Sequence, residues 1–333
     1  MINSKPAIVD RFGRTHDYLR ISLTERCNLR CFYCMPEEGI QLRDKSEFMS
    51  SEEVIAIAKT FVDMGIKKIR LTGGEPLIKK DVKNLLLELG KLPVELGLTT
   101  NAVLVDKFID VFKEAGIKAV NVSLDSLDEE RFNQISRRNY FQRIKSNIEL
   151  LIKHGFNVKI NVVVIRDLNE HEIPDFIQWT KNQPVHVRFI EFMPFDGNKW
   201  DWNKKVSFKE MLQIAAMRFG ENRVLKIADK KNDTTRSYQI ENFKGTFGII
   251  SSVTNPFCDS CNRIRLTADG KIKNCLFSQT ETDLLQAFRE KKSIEPLIRN
   301  AIFDKKKERG GAVDFENDFI KSMQNRSMVS IGG

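Results

Sequence analysis

The stretch Tyr18-Leu-Arg-Ile-Ser-Leu-Thr-Glu-Arg-Cys-Asn-Leu-Arg-Cys-Phe-Tyr-Cys-Met-Pro36 joins an alternating apolar run to three closely spaced cysteines. Leu19, Ile21 and Leu23 alternate with Arg20, Ser22 and Thr24, the period of a strand with one apolar and one polar face. Cys27, Cys31 and Cys34 follow in the loop at its end and use half of the six cysteines of the chain. Three thiolates can hold three irons of a four-iron cluster and leave the fourth iron open to a further ligand.

The strand recurs downstream, each time after a helix. Ser50-Ser-Glu-Glu53 matches a capping box, Val54, Ala58, Phe61 and Val62 share a helical face, and Gly65 ends it. Leu104, Phe108, Val111, Phe112 and Ala115 form a second stripe closed by Gly116, and Ile144, Ile148, Leu151 and Ile152 a third closed by Gly155. Strand-like runs follow these glycines at 66–72, 117–124 and 156–165. Helices at 81–89 and 172–180 precede further strands at 95–100 and 185–192. Six strands alternating with helices predict an α/β fold around a parallel sheet, open or rolled into a partial barrel.

Parallel strands covered by helices ordinarily read as near-continuous apolar runs. Here the second face is polar: Arg20 and Ser22, Arg70 and Thr72, Thr99 and Asn101, Asn121 with Ser123 and Asp125, Lys159 and Asn161. With helices outside, that face lines a barrel interior. A cationic interior needs an anionic guest, because unpaired buried charge costs several kcal/mol. Arg20, Arg70 and Lys159 are therefore candidate phosphate contacts, with Thr99 beside them. The alternative, an open sheet with one wet face, leaves the intervening helices unexplained. Thr72-Gly-Gly-Glu-Pro76 ends the second strand, where parallel barrels place their chemistry. Alone it is a turn signal; one helix after the cysteines it carries more.

Beyond Pro194 the rhythm changes. A helix is expected at 208–219, a basic linker at 228–235 and a hairpin at 243–253. Cys258-Asp-Ser-Cys261 follows, with Cys275 after thirteen intervening residues, and Arg263 and Arg265 alternate with Ile264 and Leu266 between them. Cys-x2-Cys is the common zinc knuckle, but structural zinc takes four ligands. None of the four histidines, His16, His154, His171 and His186, lies nearby in sequence. A second three-thiolate cluster accounts for the count without a missing ligand, and spacing alone leaves the two readings even. The tail reads as polar and poor in helix. It ends in Gly332-Gly333, either a frayed terminus or a slim segment able to enter a narrow site.

The 333 residues suffice for a large core, with one boundary expected between 1–230 and 231–333. A composition of 41% apolar and 30% charged residues excludes wholesale disorder. The net charge of +9 favours anionic partners. No basic-apolar leader opens the chain and no apolar run approaches ~20 residues, so a membrane span and secretion are not expected. Reduced thiols and a cytoplasmic location are.

Taken together, these motifs resemble the radical S-adenosylmethionine enzymes, and more closely the GTP 3′,8-cyclases of molybdenum cofactor biosynthesis, the MoaA family. The resemblance rests on Cys-Met-Pro36, Arg70-Leu-Thr-Gly-Gly-Glu-Pro76, Gly97-Leu-Thr-Thr-Asn101, Asn121-Val-Ser-Leu-Asp125, Arg188-Phe-Ile-Glu-Phe-Met193, the second triplet with its arginines, and the Gly-Gly end. Residues 196–250 and 280–328 carry little of it, and Ala102 stands where the family usually has Gly. The resemblance implies a partial TIM-type (β/α)6 barrel with a smaller C-terminal iron-sulfur module, two [4Fe-4S] clusters and S-adenosylmethionine. Cys27, Cys31 and Cys34 would hold the first cluster, with Tyr33, Gly74, Ser123 and Met193 around S-adenosylmethionine. Arg20, Arg70, Thr99 and Lys159 would contact GTP. Cys258, Cys261 and Cys275 would hold the second cluster against the guanine, with Arg263 and Arg265 completing the site and Gly332 and Gly333 reaching into it. The implied reaction begins with a 5′-deoxyadenosyl radical that takes the 3′ hydrogen of GTP, and the ribose then bonds to carbon 8.

The resemblance also implies a low-potential electron donor such as flavodoxin or ferredoxin and a downstream cyclic pyranopterin monophosphate synthase. A homodimer is allowed; membrane and nucleic acid are not expected partners. Two rivals remain at this level: a peptide- or sulfatase-modifying enzyme with two clusters, and a zinc-stabilised nucleic-acid-binding protein. The Arg263/Arg265 pair and the Gly-Gly end argue against the first. The mostly core-like placement of phenylalanine argues against the second.

Overall fold

The opening alternation becomes strand β1 (Tyr18–Ser22) in the computed structural model, which describes residues 7–35, 43–198, 200–312 and 325–332. The repeats continue as α1 (Ser51–Asp63), β2 (Lys68–Thr72), α2 (Val82–Gly90), β3 (Glu95–Thr100), α3 (Ile109–Glu114) and β4 (Ala119–Ser123). They end with α4 (Glu129–Ser136), α5 (Phe141–Lys153), β5 (Asn157–Val164), α6 (Ile173–Trp179) and β6 (His186–Glu191). The capping box forms as read: Glu53 N donates to Ser50 Oγ at 3.2 Å and Ser50 N to the Glu53 carboxylate at 2.8 Å. Helix α4 has no counterpart among the expected elements. Its short charged segment offers only Phe132 and Ile135 as buried apolar positions, too few to show a period.

The six strands are parallel and in chain order. After α7 (Phe208–Phe219) the chain adds β7 (Val224–Lys226), β8 (Arg236–Ile240) and β9 (Thr246–Ile250). It then adds β10 (Arg263–Leu266), β11 (Lys271–Lys273) and β12 (Thr282–Asp283), followed by α8 (Leu284–Arg289) and α9 (Glu295–Phe303). Strand β9 lies parallel to β6 and β10 parallel to β1, so one twelve-stranded sheet runs β12-β11-β10-β1-β2-β3-β4-β5-β6-β9-β8-β7. The C-terminal part thus flanks both edges of the six-stranded half-barrel, which remains open.

Two expectations for the C-terminal half need correction. The hairpin is β8 with β9, so it begins at Arg236 and Phe243 sits in its turn rather than at its start. The stretch read as poor in helix holds α8 and α9, capped by Asp283 and started with Pro296. Both helices are brief and charged on their open faces, so stripes such as Ile298 and Ile302 are too short to stand out. The apolar core lies between the helices and the outer sheet face, from Ile8 to Ile302. Among the described residues no helix is long and apolar enough to cross a membrane.

Candidate active site

Strand register turns the alternating polar positions into one lining. Arg265 lies opposite Arg20, Arg20 opposite Arg70 and Arg70 opposite Gly97. One layer along, Thr99 faces Asn121, Asn121 faces Lys159 and Lys159 faces His186. Gly97 makes room for its neighbour: a Cβ there would stand 3.1 Å from the Arg70 guanidinium. That guanidinium donates to Leu98 O at 2.9 Å and to Tyr18 Oη at 2.7 Å.

The lining encloses a cavity of about 410 Å³ that both cysteine triplets reach. Eight basic side chains line it, including Arg20, Arg70, Lys159, Arg188, Arg263 and Arg265, against three acidic ones. The acids are engaged locally: Asp125 accepts from Tyr33, Glu191 from the amide of Val253 and Asp233 from that of Lys230. Lys68 pairs with Glu95 at 2.5 Å, but Arg20, Arg70, Lys159, Arg188, Arg263 and Arg265 have no acidic partner among the described residues. Arg20 Nε, Arg188 Nε, Arg263 Nη2, Thr99 Oγ1 and Asn121 Oδ1 are buried without a hydrogen-bond partner. Burial first, and neighbouring cations second, pull Lys159 down to about 8 and Arg188 and Arg265 to about 9. Burial raises the Tyr18 phenol, but Arg70 and Arg20 outweigh it and bring it to about 7. Such a cavity is complementary to a polyanion.

The first triplet sits where β1 and β2 end. Gly73-Glu75 clamps its loop: Gly74 N donates to Thr24 O at 2.7 Å and Glu75 N to Arg26 O at 2.8 Å. A Cβ on Gly74 would fall 2.3 Å from Arg26 O, so only glycine fits this approach. The buried Glu75 carboxylate accepts from Thr100 Oγ1 at 2.8 Å and Asn101 N at 2.7 Å, joining the clamp to β3; burial raises it to about 7. Tyr33 is pinned by its hydroxyl, which donates to Asp125 Oδ2 at 2.6 Å.

Cys27, Cys31 and Cys34 are unpaired, partly exposed thiols. Burial pushes Cys27 up to about 11, and burial with mutual repulsion pushes Cys34 higher still. Burial, then Asp125, raises Cys31 as well. Three thiolates here need a cationic group among them, and a four-iron cluster is such a group. Among the described residues no three His, Cys, Asp or Glu side chains converge on a point fit for one metal ion.

The second triplet differs at Cys261, while burial raises Cys258 as it does the first triplet's thiols. Arg309 N donates to Cys258 Sγ at 3.5 Å and Lys305 Nζ to Cys261 Sγ at 3.4 Å. Burial alone would raise the Cys261 thiol, but Lys305 and Arg263 pull it down to about 6. Arg14 braces this loop by donating to Cys258 O at 2.8 Å. The stretch read as a linker closes onto the cavity: residues 232–235 form part of its wall, and Arg263 Nη1 donates to Asn232 O at 3.3 Å.

Of the remaining site candidates from the sequence, all but Gly333 can be placed. Ser123 lines the cavity from the end of β4. Met193 lines it from beyond β6, in an apolar cluster with Val253, Phe277 and Cys275. Gly332 is buried and its carbonyl accepts from Arg265 Nη1 at 2.7 Å. Gly332 has φ 83°, and a Cβ there would meet Thr72 Cγ2 at 2.8 Å. Gly333 lies outside the described residues. Ala102 takes φ 62°, the left-handed region that favours glycine, and its carbonyl accepts from Asn147 Nδ2 at 2.7 Å. Among the lining residues outside the sequence-derived candidates are Arg188 and Tyr18. Arg188 was legible from the alternation His186, Arg188, Ile190; Tyr18 precedes Arg20 by two and so shares its face.

A family model described as the radical SAM superfamily matches residues 21–180, and one described as Molybdenum Cofactor Synthesis C matches residues 185–310. Molybdenum cofactor biosynthesis protein 1 of Drosophila melanogaster is 43% identical over 94% of this chain. The chain spans 56% of that relative, so about half of its length. The mitochondrial GTP 3′,8-cyclase of Arabidopsis thaliana is 41% identical, over 98% of this chain and 83% of its own. The GTP 3′,8-cyclase of Listeria welshimeri is 38% identical, over 97% of this chain and 98% of its own. Streptococcus suis SuiB, solved with bound S-adenosylmethionine, shares the fold with TM-score 0.62 at 15% identity, over 91% of this chain and 69% of its own. With both cysteine triplets on one cationic cavity and relatives matched nearly end to end, the chain belongs to the GTP 3′,8-cyclase family of the radical S-adenosylmethionine superfamily.

Proposed function

We propose that this protein cyclises GTP to (8S)-3′,8-cyclo-7,8-dihydroguanosine 5′-triphosphate, an early step of molybdenum cofactor biosynthesis. The observation that carries the reading is the buried cationic cavity, with its unpartnered guanidinium nitrogens, between two cysteine triplets. Membership of the superfamily implies a [4Fe-4S] cluster and S-adenosylmethionine. When bound to Cys27, Cys31 and Cys34, that pair supplies one-electron chemistry for removing a hydrogen atom from the ribose 3′ carbon. The protein's share is to bind, orient and exclude water.

Arg20, Arg70 and Lys159, joined by Arg188, take the triphosphate, because each carries donors with no acidic partner inside the cavity; Thr99 adds a hydroxyl. Arg70 is held by Tyr18 and Leu98 before any ligand arrives, so its orientation costs little on binding. Tyr33, Gly74, Ser123 and Met193 surround S-adenosylmethionine, with Tyr33 fixed by Asp125. Cys258, Cys261 and Cys275 carry a second [4Fe-4S] cluster facing the guanine. Arg263 and Arg265 close the site between, with Gly332 and Gly333 as the tail that Arg265 holds. In this reading residues 1–230 are the radical-forming part and 231–333 the part that selects the substrate, with one sheet running through both.

A low-potential donor such as flavodoxin or ferredoxin and a pyranopterin-forming enzyme are the proposed partners, and the cytoplasm, a reducing compartment, the proposed location. Anaerobic reconstitution tests the core of the proposal. The expected result is about eight irons per chain and, with GTP, S-adenosylmethionine and a reductant, 5′-deoxyadenosine with an isomer of GTP. A colourless protein with stoichiometric zinc, or 5′-deoxyadenosine without change in GTP, overturns it.

A further inference from the structure

Lys305 is 2% exposed, and its ammonium has no carboxylate within ion-pair distance among the described residues. Its hydrogen-bond acceptors are Cys261 Sγ at 3.4 Å and Arg263 O at 3.0 Å. His16, on which the Lys305 charge acts, offers it no counter-charge: His16 and Asp10 bond each other at 3.1 Å, and Asp10 is taken up by Arg14 at 2.6 Å. A buried ammonium without an anion costs several kcal/mol, so the geometry leaves the sulfur of Cys261 to supply the negative charge. Lys305 is set rigidly for this. It follows α9, whose Ile298 and Ile302 are fully buried, and its amide bonds back to Ile302 O at 3.0 Å.

Among the described residues the first triplet has no equivalent. There, among the described residues, the donors to Cys27 Sγ are neutral: Leu29 N at 3.4 Å and Asn101 Nδ2 at 3.8 Å. A cation donating to a cluster sulfur stabilises the more negative, reduced state and so raises the reduction potential. We propose that Lys305 is a positioning residue of the second triplet, whose hydrogen bond to Cys261 Sγ sets the cluster carried there at a higher potential than the first. The inference rests on the second triplet holding an iron-sulfur cluster, as read above.

The test uses full-length protein reconstituted anaerobically, with both clusters followed by EPR during a redox titration. The first cluster is identified by the change in its signal when S-adenosylmethionine is added. Lys305→Met is expected to move the other cluster to lower potential and leave the first in place, while Lys305→Arg, which keeps charge and donor, returns most of the shift. An unchanged potential in Lys305→Met with full iron content overturns the proposal. A wild-type chain that loads only about four irons overturns the reading of the second triplet instead, whatever Lys305 does. Should Lys305→Met fail to load, Lys305→Gln, which keeps an N–H donor without the charge, is titrated by the same criterion.

Discussion

At the residue scale the site is a balance of uncompensated charges. Among the described residues Arg20 and Lys159 have no acidic partner in the cavity, which is why the proposed function assigns them to the triphosphate. Arg20→Ala or Lys159→Ala should weaken GTP binding by about 10- to 100-fold, the loss of one or two charge-assisted hydrogen bonds. S-adenosylmethionine binding should stay within about twofold, and calorimetry with each ligand separates the two; equal loss of both would refute the division of roles. His16 offers a pH-dependent case. It is buried, and burial, followed by the charge of Lys305, lowers it from 6.5 to about 4. The unfolded chain therefore binds the proton first as pH falls. The stability from neutral His16 is complete above pH 6.5 and is lost down to about pH 4. His16→Gln should flatten that part of the melting-temperature profile, and an unchanged slope between pH 6.5 and 4 would remove His16 as its source.

At the scale of elements, the strand alternation and its glycines do the arranging. Gly97 on β3 stands opposite Arg70 on β2, and a methyl there must displace the guanidinium, the mobile end of the side chain. Gly97→Ala is therefore expected to weaken GTP binding several-fold while moving the melting temperature little; a large drop in melting temperature with GTP affinity intact would show that Gly97 serves the backbone. The Gly73-Gly74-Glu75 turn, by contrast, is a clamp first. Its glycines press on the carbonyls of Thr24 and Arg26, and its carboxylate ties β3 to the cysteine loop. From the sequence it reads as a turn of weak specificity, because the contact that gives it meaning lies about fifty residues back along the chain.

At the scale of the whole molecule, the sheet brings distant segments to one cavity. Strand β10 pairs with β1, so Arg265 meets Arg20, and the terminal turn Met328–Ile331 leaves Gly332 on Arg265. The seat is reinforced by Arg326, whose guanidinium donates to both Asp269 oxygens at 2.9 Å. Deleting Gly332 and Gly333 should abolish cyclisation while iron content and melting temperature hold, and an active truncation would return the tail to a passive terminus. By itself the sequence determined the strand–helix repeats, the polar inner face, both cysteine triplets and the cations proposed to meet phosphate, because periodicity and spacing are local properties of the chain. Only the tertiary structure decided that β9 and β10 flank the half-barrel, that residues 232–235 wall the cavity, and that Lys305 stands against Cys261. Those facts depend on which strands pair and on which buried charges go unanswered, and neither is written in any single stretch of sequence.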